Sequence, residues 1–385
     1  MPLDGEMTGE FAPALLPGAP PLRWTLQIRS TSGEDRRLAA LLGGGEGVRF
    51  RAEAVFATGD EIRWRLEEAV FDLGRWLPVL WPLLGSGWVG AEGGGTLVVA
   101  GSGTWAAGQV DGRLEAAWND GALRDVAGRW SIEGLAARAD IILQPMLVNE
   151  SSVHVSFAEA RAAGLILGGG DIEFGVGSDQ TVRVRRATGN ILGGRMEVVP
   201  FTFVPGARNI RSVVLLDGLV VRRIADYLPP VLTNATGRVD GRVDIGWSER
   251  QGFVINAGSL RMAPGEPASM LLAPSPGFLT RHTTSRVTVL PAWLGPLARA
   301  LTLENPAYAT LRAIEMGELI LEVGSLKVDL HPRADQRGRS ARVVISARPA
   351  DANAVESLRF EINVAGPLDE VIALGSEGKL DVKMR

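Results

Sequence analysis

The sequence predicts a mainly β protein: a long antiparallel sheet with a few short helices. Three observations carry that expectation. Apolar and polar residues alternate with period two through most of the chain, glycine clusters punctuate the alternating runs, and helical periodicity is scarce. The chain has 385 residues, 48 of them Gly, and no Cys.

Taken in order, the first alternating runs are Val48, Phe50, Ala52, Ala54 and Phe56, then Ile62, Trp64 and Leu66, each interleaved with Arg and Glu. Such runs read as strands with one dry face and one wet face. The clearest is Gly237 to Trp247. Val239, Val243, Ile245 and Trp247 share a face with Gly241, and Arg238, Asp240, Arg242 and Asp244 share the other. Phe253, Ile255 and Ala257 continue the pattern after a polar turn. Leu319, Leu321 and Val323 follow, then Leu326, Val328 and Leu330, and finally Phe360, Ile362 and Val364. The clusters Gly43–Gly45, Gly93–Gly95 and Gly168–Gly170 are expected between strands, supplying the positive φ of tight hairpins. Short helices are expected within Leu73–Leu84 and Asp217–Leu232. The longest helical candidate is Leu290–Met316, with Pro291 and Pro306 near helix starts.

A weak internal repeat links the halves. Asp72 leads through Leu77-Pro78-Val79-Leu80 to Gly94-Gly95-Thr96, and Asp217 leads through Leu228-Pro229-Pro230-Val231 to Thr236-Gly237-Arg238. Repetition of a strand unit points to an elongated sheet. The expected division is 1–205 and 206–385, within one continuous sheet.

Composition excludes several functions. The hydrophobic fraction is 46%, enough for a large core, and the net charge is only −4. No basic field exists to attract nucleic acid. Without Cys there are no disulfides, thiolate metal sites or Cys nucleophiles. His154, His282 and His331 have no metal-ligand spacing. No catalytic or nucleotide-binding motif occurs, and Gly168–Gly177 lacks the following helix that a dinucleotide loop needs. Asp240 and Asp244 could be a carboxylate pair, but the interleaved Arg238 and Arg242 make a solvated outer face the better reading. No cofactor, metal or catalytic residue is therefore expected, and the chain is read as non-enzymatic. Residues 1–21 carry Asp4, Glu6 and Glu10 and no basic residue, unlike a signal peptide. The longest apolar stretch, near Trp76–Ala91, is broken by Pro78, Pro82, Gly85 and Gly87 and is too short to span a membrane.

Ala235–Ile245 (ATGRVDGRVDI), followed by Gly252–Met262, resembles the C-terminal domain of the YdbH family, with Pro264-Gly265 as its turn. Ala307–Leu330 resembles that family's short helix and paired strand, and Val343–Val364 its last strands. Ala187–Glu197 (ATGNILGGRME) resembles a strand common in the wider AsmA and TamB-like group. The resemblance runs over about 168–374. Ala347-Arg348-Pro349-Ala350 stands where the family has Gly-x-Asn-Pro, and the family's membrane anchor has no counterpart here, as in a fragment or an unanchored relative.

The resemblance implies a periplasmic protein of a Gram-negative envelope, inner-membrane anchored. It would carry phospholipid acyl chains between the membranes and meet a small outer-membrane lipoprotein. It also implies that the sheet is bent into an open, apolar-lined groove, β-taco-like, with 1–205 as its N-terminal β-rich part and 206–385 as the C-terminal YdbH-like domain. A "dicarboxylate transport" label attached to the family finds no convergent Arg cluster in any motif here. The candidate groove lining is Val239, Val243, Ile245, Phe253, Ile255, Leu319, Leu321, Val323, Phe360 and Ile362. By alternation alone the same residues fit a closed sandwich or solenoid core in a structural or adhesive protein that binds a protein or glycan.

Overall fold

The computed structural model describes residues 5–11, 21–30, 37–56, 61–84, 91–143, 151–162, 164–177, 179, 181–204, 207, 209–226, 232–248, 252–288, 302–330, 339–350 and 354–365. Twenty-one strands form one antiparallel sheet that does not close into a barrel. The first half contributes β1 (Gly5–Phe11), β2 (Leu22–Ser30), β3 (Arg37–Gly45), β4 (Val48–Phe56) and β5 (Ile62–Asp72). Helix α1 (Leu73–Leu84) follows, then β6 (Ala91–Ala106), β7 (Gln109–Asp125), β8 (Trp130–Leu143), β9 (Ser151–Ala162), β10 (Leu165–Val176) and β11 (Val182–Ile191). Next come β12 (Gly194–Val198), β13 (Phe201–Phe203), β14 (Asn209–Val220), helix α2 (Val221–Ala225), β15 (Leu232–Ala235), β16 (Arg238–Ser248), β17 (Gly252–Met262) and β18 (Ser269–Leu272). A separate two-stranded ribbon pairs β19 (Arg286–Thr288) with β20 (Thr302–Glu304). Helix α3 (Pro306–Glu315) and strands β21 (Leu321–Leu330), β22 (Arg339–Pro349) and β23 (Leu358–Ala365) are the last described elements.

The chain divides into two compact units. Unit 1 comprises residues 1–162, 166–189 and 199–207, and unit 2 the remainder. In unit 1, β1 to β9 form an antiparallel meander in which each strand pairs with the next. One face is apolar because the alternation of each strand falls in register with its neighbours. Leu26, Leu41, Ala52, Leu66, Gly101, Leu114 and Ile141 form one continuous row across β2 to β8. The next row on the opposite face reads Gln27, Ala40, Glu53, Arg65, Ser102, Arg113 and Ile142.

Helix α1 packs on one end of the apolar face. Leu73 and Leu77 are buried with Ala91, Leu123 and Leu135, and Trp118, Trp130 and Phe157 close around them. Trp76 is also buried, and its Nε1 donates to the Glu46 carbonyl at 3.3 Å. Beside this capped end, each pairing from β4–β5 to β7–β8 contains a bulge, at Arg51/Ala52, Leu66/Ala69, Gly94/Thr96 and Trp118/Gly121. Four successive bulges bend neighbouring strands together.

Unit 2 repeats the plan. Val198, Val214, Val243, Gly258, Leu330, Ala341 and Val364 form one apolar row across β12, β14, β16, β17, β21, β22 and β23. A similar backbone contact precedes the short helix of each unit. In unit 1 the hairpin carbonyl of Gly47 accepts from Asp72 N (2.7 Å) just before α1. In unit 2 the carbonyl of Leu192 accepts from Val220 N (3.0 Å) just before α2. Gly47 (φ 71°) and Gly193 (φ 76°) occupy the left-handed position of these two hairpins.

Helix α3 is capped by Asn305, whose side chain accepts from Ala307 N at 3.1 Å, with Pro306 at the first helical position. Its other end is latched by Glu315, which is only 3% exposed. That carboxylate accepts from Leu279 N (2.9 Å), Thr280 N (3.1 Å) and Thr280 Oγ1 (2.8 Å). Burial pushes the carboxyl up, and the donors from Leu279, Thr280 and Gly277 outweigh it and hold it below the usual range.

Several sequence expectations are corrected. The glycine clusters lie inside strands β3, β6 and β10, and only Gly95 and Gly169 among them have positive φ. Within the long helical candidate Leu290–Met316, residues Thr302–Glu304 form strand β20 and Pro306–Glu315 form α3, while residues 289–301 lie outside the described residues. The short helix expected within Asp217–Leu232 is present, as the five-residue α2.

Candidate functional site

The candidate surface is the part of the apolar face of unit 1 that α1 leaves uncovered. Burial along unit 1 falls away from the helix. Val48 and Ala69, next to α1, are 6% and 5% exposed. Phe50, Trp64, Leu66, Val99, Leu114, Ala116 and Ile141 are half-buried. At the far edge Phe56, Ile62, Trp105 and Val110 pair in one line across β4 to β7, with Phe56, Trp105 and Val110 exposed. A sandwich core would bury this middle stretch. Here a second row, Trp24, Gly43, Phe50, Ala69, Val99, Ala116, Ala139 and Val153, crosses eight strands. At about 4.8 Å per strand it runs roughly 34 Å, about twice the ~15 Å hydrocarbon depth of one bilayer leaflet.

Glycines on this face mark where the backbones close up. A Cβ on Gly112 would lie 2.6 Å from the Ser102 carbonyl, and one on Gly121 2.6 Å from the Leu135 carbonyl. No side chain fits there, so the glycines permit the bend.

Charge is kept to the opposite face. Arg113 forks onto Asp140, Arg51 lies 3.5 Å from Glu67, and His154 lies 2.7 Å from Asp171. These are exposed pairs that keep the outer face wet and add little stability. At the β7–β8 turn the Arg129 guanidinium holds the Asp125 carboxyl below its ordinary value. Among the described residues no three His, Asp or Glu side chains gather as a metal site, and no helix is long and apolar enough to cross a membrane.

The expected lining residues all fall in unit 2. Val239, Val243, Ile245, Leu321, Val323, Phe360 and Ile362 project to one face, as the registers Val243↔Gly258, Leu260↔Val328, Val343↔Ile362 and Ile345↔Phe360 require. Ile255 joins them opposite Ile245. Phe253 pairs with Trp247 in the backbone register, and its side chain lies outside the described residues. Leu319 precedes β21 and packs against the same core.

Burial then divides the set. Val239 (1% exposed), Leu321 (0%) and Phe360 (8%) are covered by the chain's own atoms. Leu321 and Phe360 pack with Ile314 of α3 and with Met270 and Leu272 of β18, while Val239 packs with Leu219 and Leu260. A cavity of only about 20 Å³ remains beside Val239 and Val323. Ile245, Ile255 and Ile362 are half-buried. The lining residues named from the sequence include none from unit 1, although 1–205 is expected to form part of the groove. The signal for unit 1 was present in the alternation of Ile62, Trp64 and Leu66.

Comparison with known proteins agrees with this geometry. The family model YdbH-like, described as "Intermembrane phospholipid transport protein YdbH", matches residues 22–265. The matched stretch takes in the open face of unit 1 and the motifs at Ala187–Glu197, Ala235–Ile245 and Gly252–Met262, while those at Ala307–Leu330 and Val343–Val364 lie beyond it. No curated protein matches the chain.

Proposed function

The chain belongs to the YdbH-like family of intermembrane phospholipid transport proteins, and from that premise we propose that it holds phospholipid acyl chains on the open apolar face of unit 1. The observation that carries this reading is the half-buried apolar row across β2 to β8, capped among the described residues by α1 at one end. An apolar face of this extent needs a cover in water, and the described helices cover little of it. Each methylene laid on it gains about 0.8 kcal/mol, so an acyl chain binds firmly. Successive rows are chemically alike, so a chain gains little by staying at any one of them and can slide. The protein acts without catalysis, as a conducting segment in the periplasm between inner and outer membrane. In this reading the inner-membrane anchor and a small outer-membrane lipoprotein are partners at its two ends.

The test is lipid mass spectrometry on the chain purified without detergent. Phospholipid should co-purify at a fixed ratio to protein. A folded chain free of phospholipid would overturn the proposal.

A further inference from the structure

In unit 1, four aromatic side chains lie over glycines of a neighbouring strand. Trp24 faces Gly9 across β1–β2, Phe50 faces Gly43 across β3–β4, and Trp64 faces Gly103 across β5–β6. Phe157 of β9 lies over Gly170 of β10. A Cβ on Gly9 would come within 2.6 Å of Trp24 Cζ2, and one on Gly43 within 2.7 Å of Phe50 Cε2. On Gly170 it would come within 2.5 Å of Phe157 Cε2. The Trp64 indole reaches over two strands, so a Cβ on Gly103 or Gly112 would lie 2.7 or 2.8 Å from its Cζ2. Each ring therefore occupies the space where a side chain of the next strand would begin. It reclines on the backbone.

Conformational freedom does not explain the glycine at positions 9, 43 and 170. None has a positive φ, and the nearest atoms to an added Cβ are ring atoms alone. The backbone tolerates alanine there, and the ring does not. Ordinary contact begins at 3.4 Å, so alanine at position 43 lifts Phe50 Cε2 by at least 3.4 − 2.7 = 0.7 Å. The lift goes toward the half-buried middle of the apolar face.

We propose that these aromatic-on-glycine pairs set the clearance above the apolar face, making Gly43 a determinant of how much acyl chain the uncovered stretch accepts. The inference rests on the lipid-holding reading above. Bulky rings supply apolar area without height, and the glycine is what allows it. A lone glycine would leave a pit, and an aromatic opposite any other residue would stand up as a barrier to a sliding chain.

The experiment compares the full chain with Gly43→Ala, Phe50→Ala and the double variant, all purified without detergent. Bound phospholipid per protein is measured by phosphorus assay, and folding by circular dichroism and thermal melting. Gly43→Ala should melt like the parent and carry about two-fold less lipid, a change of ~0.4 kcal/mol. In the Phe50→Ala background the same Gly43→Ala change should have no effect, because there is no ring to lift. Equal loading of Gly43→Ala and parent overturns the inference, as does a loss that persists without Phe50. A parent chain that carries no phospholipid overturns the functional reading and this inference with it, so the two failures are distinguishable.

Discussion

Replacing Glu315 by alanine should release α3 from the loop that covers the packed end of unit 2. The carboxylate receives three short hydrogen bonds, two from the backbone N–H groups of Leu279 and Thr280 and one from the Thr280 hydroxyl. Leu279 is half-buried and Thr280 buried, so water replaces the lost acceptor poorly. Each stranded donor costs about 1–3 kcal/mol, and partial relaxation brings the total to about 3 kcal/mol. That is roughly two decades in a local opening equilibrium. Hydrogen exchange reads it directly, as faster exchange at Leu279 and Thr280 with β2 to β8 unchanged.

The pH dependence has a definite sign. The folded carboxyl is held below its ordinary value, so its contribution is fully present above the unfolded value. It is lost as pH falls through the folded one. The gap between parent and Glu315→Gln should therefore narrow on acidification below about pH 4.5. Unchanged exchange at Leu279 and Thr280 in Glu315→Ala, or a gap that widens in acid, would refute this account of the latch.

Two further outcomes follow from the same geometry. Ile314→Ala removes a fully buried side chain from the cluster with Leu321, Ile345 and Phe360 and should cost about 3 kcal/mol, read by denaturant unfolding of unit 2. Leu66→Glu places a carboxylate in the middle of the open row. It should leave the fold intact, because Leu66 is only half-buried, while lowering co-purified lipid several-fold by mass spectrometry.

Much of this was legible in the chain, for physical reasons. Alternation marked β4 at Val48–Phe56 and most of β16, since a strand with one wet face must alternate. Leu73–Leu84 reads as a helix and is one, because its apolar residues recur at helical spacing. The glycines misled. Gly43 and Gly170 look like turn residues, yet they lie within strands beneath Phe50 and Phe157, a role that depends on which strand is the neighbour. The site was only partly legible for the same reason. Alternation gives the apolar face of each strand, but whether α1 or α3 covers it is decided by packing between distant segments. Val239 and Ile245 look alike in sequence, and one is sealed while the other is half-open.

The central claim is that the apolar face of unit 1 holds lipid, and strand β7 tests it most directly. A photo-crosslinking residue is placed in turn at positions 113, 114, 115 and 116 of the chain in cells, and phospholipid adducts are scored. Leu114 and Ala116 belong to the apolar rows, and Arg113 and Glu115 to the charged face. The account predicts adducts at 114 and 116 and none at 113 and 115. Adducts at all four positions, or at none, would contradict it.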